Sequence, residues 1–224
     1  MADGCLLYYI TDRTAFAPDE PTRRRRLLDK IAEASRAGVD YIQLREKDLS
    51  TRALESLARD VVSAVKETQK LTSGPWTLVT TVLINSRTDI ALAARANGVH
   101  LRSDDICPND VRSIWNACSG DERGEPLIGV SSHSPVEVAQ AQAGGATFAV
   151  FAPVFEKKDT PITQAAGLTQ LREACKVNIP VLALGGVTLE NAKACLDAGA
   201  SGIAAIRLFQ EHNIEQVARL LRQN

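Results

Sequence analysis

The chain has 224 residues, 45% of them hydrophobic and 24% charged, which describes a globular protein long enough to bury a large core. Its 26 basic and 27 acidic residues nearly cancel, so no surface for nucleic acid or for an anionic membrane is expected. No stretch approaches the roughly 20 apolar residues of a membrane span, and five scattered cysteines without a CxxC pair indicate free thiols in a reducing cytoplasm.

Eight short apolar runs, rich in β-branched residues, recur along the chain and predict β-strands. They are Leu6–Thr11, Tyr41–Arg45, Leu78–Asn85, Gly98–Arg102, Leu127–Ser131, Phe148–Pro153, Pro180–Gly185 and Gly202–Ile206. The segments between them carry apolar residues three and four positions apart, as amphipathic helices do. Two such stripes are Leu54, Leu57, Ala58, Val61 and Val65, and Val136, Val138, Ala139 and Ala143. Strands that alternate with helices predict a parallel sheet joined by right-handed crossovers.

The number of repeats and the chain length select one architecture. Eight strand–helix repeats in 224 residues predict a single (β/α)8 TIM barrel, with one domain over residues 1–224. An open doubly wound sheet would need a glycine-rich nucleotide fingerprint after the first strand, and Thr11-Asp12-Arg13 contains no glycine. In a barrel, catalytic groups come from the carboxyl ends of the strands and the loops just beyond them.

A dense cluster of charge follows the second strand. Gln43, Arg45 and Lys47 alternate along the strand and its exit, so they share one face by the period of two. If that face lines the mouth of the barrel, two cations and an amide converge there and suit a bound polyanion. Glu46 and Asp48 lie between them, so local ion pairs at an exposed strand end remain an alternative.

Polar residues also end the third and fourth strands. Asn85 closes a strongly apolar run, and Asp89 falls near the start of a helix, where it could act as a cap. Asp104 and Asp105 follow the fourth strand, and such a pair either holds a divalent cation or caps the next helix.

The fifth and sixth strands end in hydroxyl, imidazole and amino groups. Ser131 and His133 close the fifth strand, and no nucleophile–base–orienter order can be read around that histidine. Lys157 and Lys158 belong to a basic loop after the sixth strand.

Glycines mark the end of the seventh strand. Gly185 and Gly186 follow it directly, and the eighth strand, Gly202–Ile206, comes next in the chain. Loops after strands seven and eight form the common phosphate site of this fold, where backbone N–H groups face the anion. A side chain would block that approach, which favours glycine.

Taken in order, these segments resemble the superfamily of thiamine phosphate synthases and TenI-type thiazole tautomerases. The matching segments are YYITD, QLREK, NSRTD, GVHL…DD, GVSSH, APVF…KKDT and PVLALGGVTLENAKACLDAGASGIAAI, and they span nearly the whole chain. The resemblance implies a (β/α)8 barrel. Synthases join a hydroxymethylpyrimidine diphosphate to a thiazole phosphate and release pyrophosphate, by ionisation of the pyrimidine substrate to a carbocation that the thiazole nitrogen captures. Tautomerases isomerise a thiazole carboxylate phosphate.

Residue by residue, the resemblance implies a diphosphate site and a phosphate site. The implied diphosphate contacts are Gln43, Arg45, Lys47, Asn85, Ser131 and the loop lysine Lys157, with Lys158 as the alternative register. Asp105 resembles one of two Mg2+ carboxylates. Gly186, beside Gly185, resembles the donor of a backbone N–H to the thiazole phosphate, with the Ala205–Ile206 backbone opposite. His133 lies where the tautomerase branch has its proton-transfer histidine.

The chain departs from the synthase pattern at several positions. Ser86 stands where synthases usually have a second metal-binding aspartate, Arg102-Ser103 replaces Gly-Gln, and the loop around Lys157 lacks the usual threonines. Gln43 and Lys47 favour a synthase, because a tautomerase has no diphosphate for them to bind. The expected function is thiamine phosphate synthesis with Mg2+. A thiazole tautomerase and a non-catalytic thiazole-phosphate binder or regulator remain alternatives, and self-association is left open.

Overall fold

Eight parallel strands close into a barrel in the computed structural model, which describes residues 4–71, 79–119, 124–156 and 165–223. The strands are β1 (Leu6–Ile10), β2 (Tyr41–Leu44), β3 (Thr81–Asn85), β4 (Gly98–Leu101), β5 (Leu127–Ser132), β6 (Phe148–Phe151), β7 (Val181–Ala183) and β8 (Gly202–Ala205). Each strand pairs with the next along the chain, and β8 pairs with β1. The predicted (β/α)8 fold is therefore confirmed.

Helices follow the strands around the outside. They are α1 (Glu20–Arg36), α2 (Thr51–Leu71), α3 (Thr88–Ala93), α4 (Pro108–Ser119), α5 (Pro135–Ala143), α6 (Gly167–Ala174), α7 (Ala192–Asp197), α8 (Arg207–Gln210) and α9 (Ile214–Arg222), with a 3₁₀ turn at Arg13–Ala15. Side-chain caps begin several of them: Asp19 accepts a hydrogen bond from the Thr22 N–H before α1, and Ser134 accepts one from the Glu137 N–H before α5. Within the described ranges, no helix has the length and apolarity to cross a membrane.

Several strands are shorter than predicted at their carboxyl ends. β1, β2, β4, β6, β7 and β8 each end one or two residues before the predicted boundary. The reason is clearest at β7, which cannot continue through Gly185, because a φ of 96° there turns the backbone out of the extended region. The residues beyond these boundaries belong to the loops that form the mouth of the barrel.

The core has two layers, as alternation along each strand requires. One layer fills the barrel itself: Tyr8, Ile10, Leu83, Phe148, Val150, Leu182 and Ala204. The larger layer lies between the outward faces of the strands and the helices, and the predicted stripe on α2 is buried in it. The stripe predicted on α5 is wrong, because of its four residues only Val138 is buried, while Val136, Ala139 and Ala143 are exposed; the face that packs on the barrel contains Val138 and Ala141.

The same alternation places polar residues at one end of the barrel interior. Gln43, Asn85 and Ser131 are each an even number of residues from an inward-facing position on their strand. His100 also faces inward, since its ring lies against the interior rings of Tyr8 and Phe148. The ladder brings them side by side: Asn85 is in register with His100, and His100 with Gly129. The apolar floor of the barrel therefore gives way to a polar layer at the carboxyl ends of β2 to β5.

Candidate active site

Two cations, Arg45 and Lys47, lie at the exit of β2. Arg45 is half-buried and Lys47 exposed, and neither makes an ion pair with any residue in the part of the chain that the structure describes. The charge of Arg45 lowers the pKa of the Lys47 ammonium, and partial burial and the charge of Arg102 act in the same direction. Like charges held together without carboxylates create a positive potential, which suits an anion.

The acidic residues of the same segment are bound elsewhere. Arg13, only 2% exposed, donates from Nη1 to Glu46 Oε2 at 3.2 Å and to Asp48 Oδ1 at 2.7 Å. Its Nε also donates to Glu20 Oε1 at 2.9 Å. The alternative of local ion pairs therefore fails for Arg45 and Lys47, because Glu46 and Asp48 pair with Arg13.

Thr11 joins the two sides of this arrangement. Its hydroxyl donates to Glu46 Oε1 at 2.5 Å, and Thr11 Oγ1 accepts a hydrogen bond from the Arg45 backbone N–H at 3.0 Å. Burial raises the pKa of the Glu46 carboxyl, although the hydrogen bonds from Thr11 and Arg13 lower it. The carboxylates thus lie on one side of the segment after β2 and the free cations on the other. Sequence reasoning missed Arg13, and its signal was a basic residue directly after a strand, in Thr11-Asp12-Arg13.

An amide pair spans β2 and β3. Gln43, 2% exposed, donates from Nε2 to Asn85 Oδ1 at 3.0 Å. The bond leaves the Gln43 carbonyl oxygen and the Asn85 amide nitrogen without protein partners among the described residues. The pair can therefore offer an acceptor oxygen and a donor NH2 group to a ligand in the mouth.

The loop after β4 contains one carboxylate that faces the site and one that does not. Asp105 Oδ2 accepts from the Ser86 hydroxyl at 2.6 Å and from the Arg102 N–H at 2.8 Å. Asp104 Oδ1 instead accepts from Arg102 Nε at 2.8 Å. No cluster of three or more histidine, cysteine or acidic side chains that could hold a metal occurs in the described ranges. Among the described residues, Asp105 is the carboxylate that bonds to Ser86, whose φ of 55° places it in the left-handed region.

A buried histidine connects β1 to β5. The Tyr8 hydroxyl is 3.0 Å from His100 Nδ1, and His100 Nε2 is 2.8 Å from Ser131 Oγ. Burial lowers the pKa of His100 to about 3, and the charge of Arg45 contributes, so the imidazole is neutral at physiological pH. Sequence reasoning did not single out His100, although a polar residue at an inward position of an apolar strand was a usable signal.

His133 is exposed and fixed from one side. Its Nδ1 is 2.7 Å from the carbonyl oxygen of Ala152, which can only accept, so Nδ1 carries a proton. Its backbone N–H donates to Glu137 Oε2 at 2.9 Å. The remaining ring nitrogen, Nε2, makes no hydrogen bond to the described residues and is open to solvent.

The loop after β7 requires both of its glycines. A Cβ on Gly185 would lie 2.8 Å from Pro153 Cα, and one on Gly186 would lie 2.8 Å from the Glu156 carbonyl oxygen. Both also have positive φ, 96° and 64°. Asn191 holds the turn, since it accepts from the Thr188 N–H at 2.8 Å and donates to the Gly186 carbonyl at 3.0 Å.

The sequence-predicted residues lie at one end of the barrel, at or just beyond the carboxyl ends of their strands. Gln43, Asn85, Ser131 and Ala205 lie in strands, and Arg45, Lys47, Asp105, His133, Gly185, Gly186 and Ile206 follow strands. Lys157 lies outside the described residues. The roles assigned to these residues remain predictions.

Comparisons with known proteins agree with one another. The family model described as "Thiamine monophosphate synthase" (TMP-TENI) matches residues 7–209. The chain is 37% identical over 206 residues to the putative thiamine-phosphate synthase 2 of Aquifex aeolicus, covering 92% of this chain and 97% of that protein. It is 34% identical over 222 residues to the thiamine-phosphate synthase of Syntrophomonas wolfei, covering 97% and 94%. A solved structure of thiamine phosphate pyrophosphorylase from Pyrococcus furiosus superposes with a TM-score of 0.74 at 27% identity, covering 97% and 94%.

Proposed function

This chain belongs to the thiamine monophosphate synthase family, and on that premise we propose that it is a thiamine phosphate synthase. It joins 4-amino-2-methyl-5-hydroxymethylpyrimidine diphosphate to a thiazole phosphate, giving thiamine phosphate and pyrophosphate. The observation that carries the proposal is the pair of cations Arg45 and Lys47, which make no ion pair with the described residues and whose neighbouring carboxylates are both bound by Arg13. A tautomerase substrate has no diphosphate for them to bind.

The leaving group explains the position of these cations. When the bond between the pyrimidine methylene carbon and the diphosphate oxygen breaks, both bonding electrons leave with the pyrophosphate, and the carbocation left behind is captured by the thiazole nitrogen. Negative charge grows on the pyrophosphate in the transition state, so preorganised cations stabilise that state more than the ground state. Arg45 and Lys47 supply the charge. Gln43, Asn85 and Ser131 hold the substrate by hydrogen bonds, and Lys157 supplies a further cation.

The thiazole phosphate binds across the loops after β7 and β8. The Gly186 N–H donates to the phosphate, with Gly185 beside it and the Ala205–Ile206 backbone opposite. The support is the position of this glycine turn directly after β7, where the fold commonly binds phosphate; its glycines also let the turn pack against the loop after β6, because a Cβ at either would collide with it. The two hydrogen bonds that Asn191 makes to this turn keep it fixed.

Mg2+ fits this site through one protein carboxylate. Magnesium commonly takes one or two carboxylates, several waters and substrate phosphate oxygens. Asp105 would be the ligand, and the Ser86 hydroxyl that donates to it at 2.6 Å would have to turn away or contribute its oxygen. When bound, Mg2+ supplies positive charge to the pyrophosphate. Because the described residues offer one carboxylate there, Mg2+ and the diphosphate should bind with positive coupling.

Restoring the second carboxylate should reduce the metal requirement. We expect Ser86→Asp to reach half-maximal rate at several-fold lower Mg2+ than the wild type, because two carboxylates bind the ion before substrate arrives. Titration of MgCl2 against initial rate measures the change, with Ser50→Asp, an exposed serine before α2, as the matched control. An unchanged or raised metal requirement in Ser86→Asp would mean that residue 86 does not face the ion.

One assay tests the proposed function directly. Purified protein, both substrates and MgCl2 should give thiamine phosphate and pyrophosphate in equal amounts, with no product when either substrate is omitted. Binding of the thiazole phosphate without any turnover would instead support the non-catalytic binder or regulator.

The tautomerase is a second candidate because of the orientation of His133. Its Nδ1 is held by the Ala152 carbonyl, which leaves Nε2 exposed and able to accept a proton. Under the synthase proposal, His133→Gln should retain coupling within about threefold of wild type, and the wild type should not isomerise a thiazole carboxylate phosphate. The synthase assay and NMR of the isomerisation substrate measure both. Isomerisation by the wild type that His133→Gln abolishes would replace the synthase with the tautomerase.

We also propose that residues 1–224 form one domain that works in the cytoplasm. All five cysteines are free thiols, and burial raises the pKa of Cys5 and Cys175 to about 11. The thiols of Cys5 and Cys175 are therefore protonated, poor nucleophiles that pack against the core. Free thiols, including the exposed Cys107 and Cys118, suit a reducing compartment.

A further inference from the structure

A chain of hydrogen bonds runs from the barrel interior to the proposed diphosphate site. It contains Tyr8, His100 and Ser131, linked at 3.0 Å and 2.8 Å. Tyr8 is fully buried and His100 is 3% exposed, whereas Ser131 is half-buried at the mouth. Because each group has a limited set of donors and acceptors, the direction of the chain can be deduced from its buried end.

The Tyr8 hydroxyl fixes the first step. Its proton has one acceptor among the described residues, His100 Nδ1. If Nδ1 carried the ring proton instead, the phenol proton would be buried without an acceptor, at a loss of about 1–3 kcal/mol. Burial also raises the pKa of the Tyr8 phenol, so the hydroxyl keeps its proton. Tyr8 therefore donates, and Nδ1 accepts.

The ring of His100 transmits this direction to Ser131. The imidazole is neutral, so with Nδ1 as the acceptor its single proton lies on Nε2. Nε2 then donates to Ser131 Oγ. The Ser131 proton is left without an acceptor among the described residues and is free to point into the mouth. In the opposite tautomer, Ser131 would donate to Nε2 and present only lone pairs to an anion.

The surrounding packing keeps the ring in this position. The Tyr8, Phe148 and His100 rings form one cluster, with centroids 5.5 Å apart for Tyr8–Phe148 and 5.7 Å apart for Tyr8–His100. Gly129 leaves space for the Phe148 and His100 rings, because a Cβ there would lie 2.4 Å from the Phe148 ring and 2.8 Å from His100 Nδ1. The imidazole therefore cannot flip without disturbing the barrel interior.

We propose that Tyr8 and His100 are positioning residues that orient the Ser131 hydroxyl as a hydrogen-bond donor to the diphosphate. The inference deepens the proposed synthase function and rests on it for the identity of the anion. Tyr8 and His100 do not contact the substrate. They act by setting which atom of Ser131 faces it.

The tautomer can be measured without turnover. In wild-type protein labelled with ¹⁵N-histidine, NMR should show the His100 proton on Nε2, with Nδ1 as an acceptor. Tyr8→Phe should lose this single fixed tautomer, weaken binding of inorganic pyrophosphate about threefold to tenfold by calorimetry, and lower kcat by a similar factor. Tyr41→Phe is the matched control, since its ring stacks on Phe148 at 5.0 Å in the same cluster, and it should leave all three values unchanged.

A double-variant cycle separates orientation from general packing damage. In a Ser131→Ala background, Tyr8→Phe should have no further effect on pyrophosphate affinity, because there is no hydroxyl left to orient. A wild-type proton on Nδ1, or additive effects of the two substitutions, would overturn the proposal. If the wild type makes no thiamine phosphate, the synthase function fails, while the tautomer and the pyrophosphate cycle still decide whether Ser131 is an oriented anion donor.

Discussion

An Arg45→Ala variant should release pyrophosphate about 100-fold more slowly than the wild type, or slower still, while its affinity for thiazole phosphate stays near the wild-type value. Arg45 lies next to Lys47 and is not neutralised by any described carboxylate, so its full charge is available to the leaving group. The interaction strengthens as charge develops, so kcat should fall more than the KM for either substrate rises. Steady-state measurement of pyrophosphate release gives both constants.

Arg25→Ala provides the matched control for this variant. Arg25 is an exposed arginine on α1, and its loss should leave both constants unchanged. A second comparison, Arg45→Lys, keeps the charge but not the planar fork, and should recover part of the lost rate. Wild-type release rates in Arg45→Ala would remove Arg45 from the leaving-group site.

The barrel could be predicted from the sequence because its signal is repeated. Eight apolar runs separated by amphipathic segments leave few topologies, and the glycines after β7 mark the phosphate end. The boundaries were less predictable. So was the buried face of a helix rich in small apolar residues: Val136, Ala139 and Ala143 lie at helical spacings yet are exposed, because Val138 and Ala141 form the face of α5 that packs on the barrel.

Side-chain pairing is the part of the site that the sequence could not give. Glu46 and Asp48 alternate with Arg45 and Lys47, and adjacency alone suggested that these charges could neutralise one another. Their actual partner, Arg13, is more than 30 residues away in sequence and becomes close only when β1 pairs with β2. The link of His100 to Tyr8 and Ser131 likewise depends on contacts across the barrel interior.

Of the substitutions proposed, Arg13→Met should lower the free energy of unfolding most. Arg13→Met removes the ion-pair partner of Glu46, which is 4% exposed, and a buried carboxylate left without its partner costs about 3–5 kcal/mol in the free energy of unfolding. Urea unfolding followed by circular dichroism measures this loss. Glu20→Gln is the matched control: it removes a partner of Arg13 that is 46% exposed, and should cost less than about 1 kcal/mol.

The double variant Arg13→Met/Glu46→Gln identifies the cause of the loss. It removes the unpaired charge together with Arg13, so most of the stability should return.

The stability of Arg13→Met should depend on pH in a definite direction. Burial already raises the pKa of Glu46, and without Arg13 one opposing influence disappears, so the folded state holds the proton more tightly than the unfolded state. Stability of Arg13→Met relative to the double variant should therefore fall as pH rises above the ordinary pKa of glutamate, and level off above the folded-state pKa.

Arg13 should also affect the diphosphate site, although it does not contact the substrate. In Arg13→Met, Asp48 is released from its ion pair and can reach toward the free cations, so pyrophosphate should bind more weakly than in the wild type. Adding Asp48→Asn to Arg13→Met should restore pyrophosphate affinity, measured by calorimetry, without restoring stability, because Glu46 remains buried and unpaired. If Asp48→Asn restores both pyrophosphate affinity and stability, or restores neither, then Arg13 does not separate the carboxylates of this segment from Arg45 and Lys47.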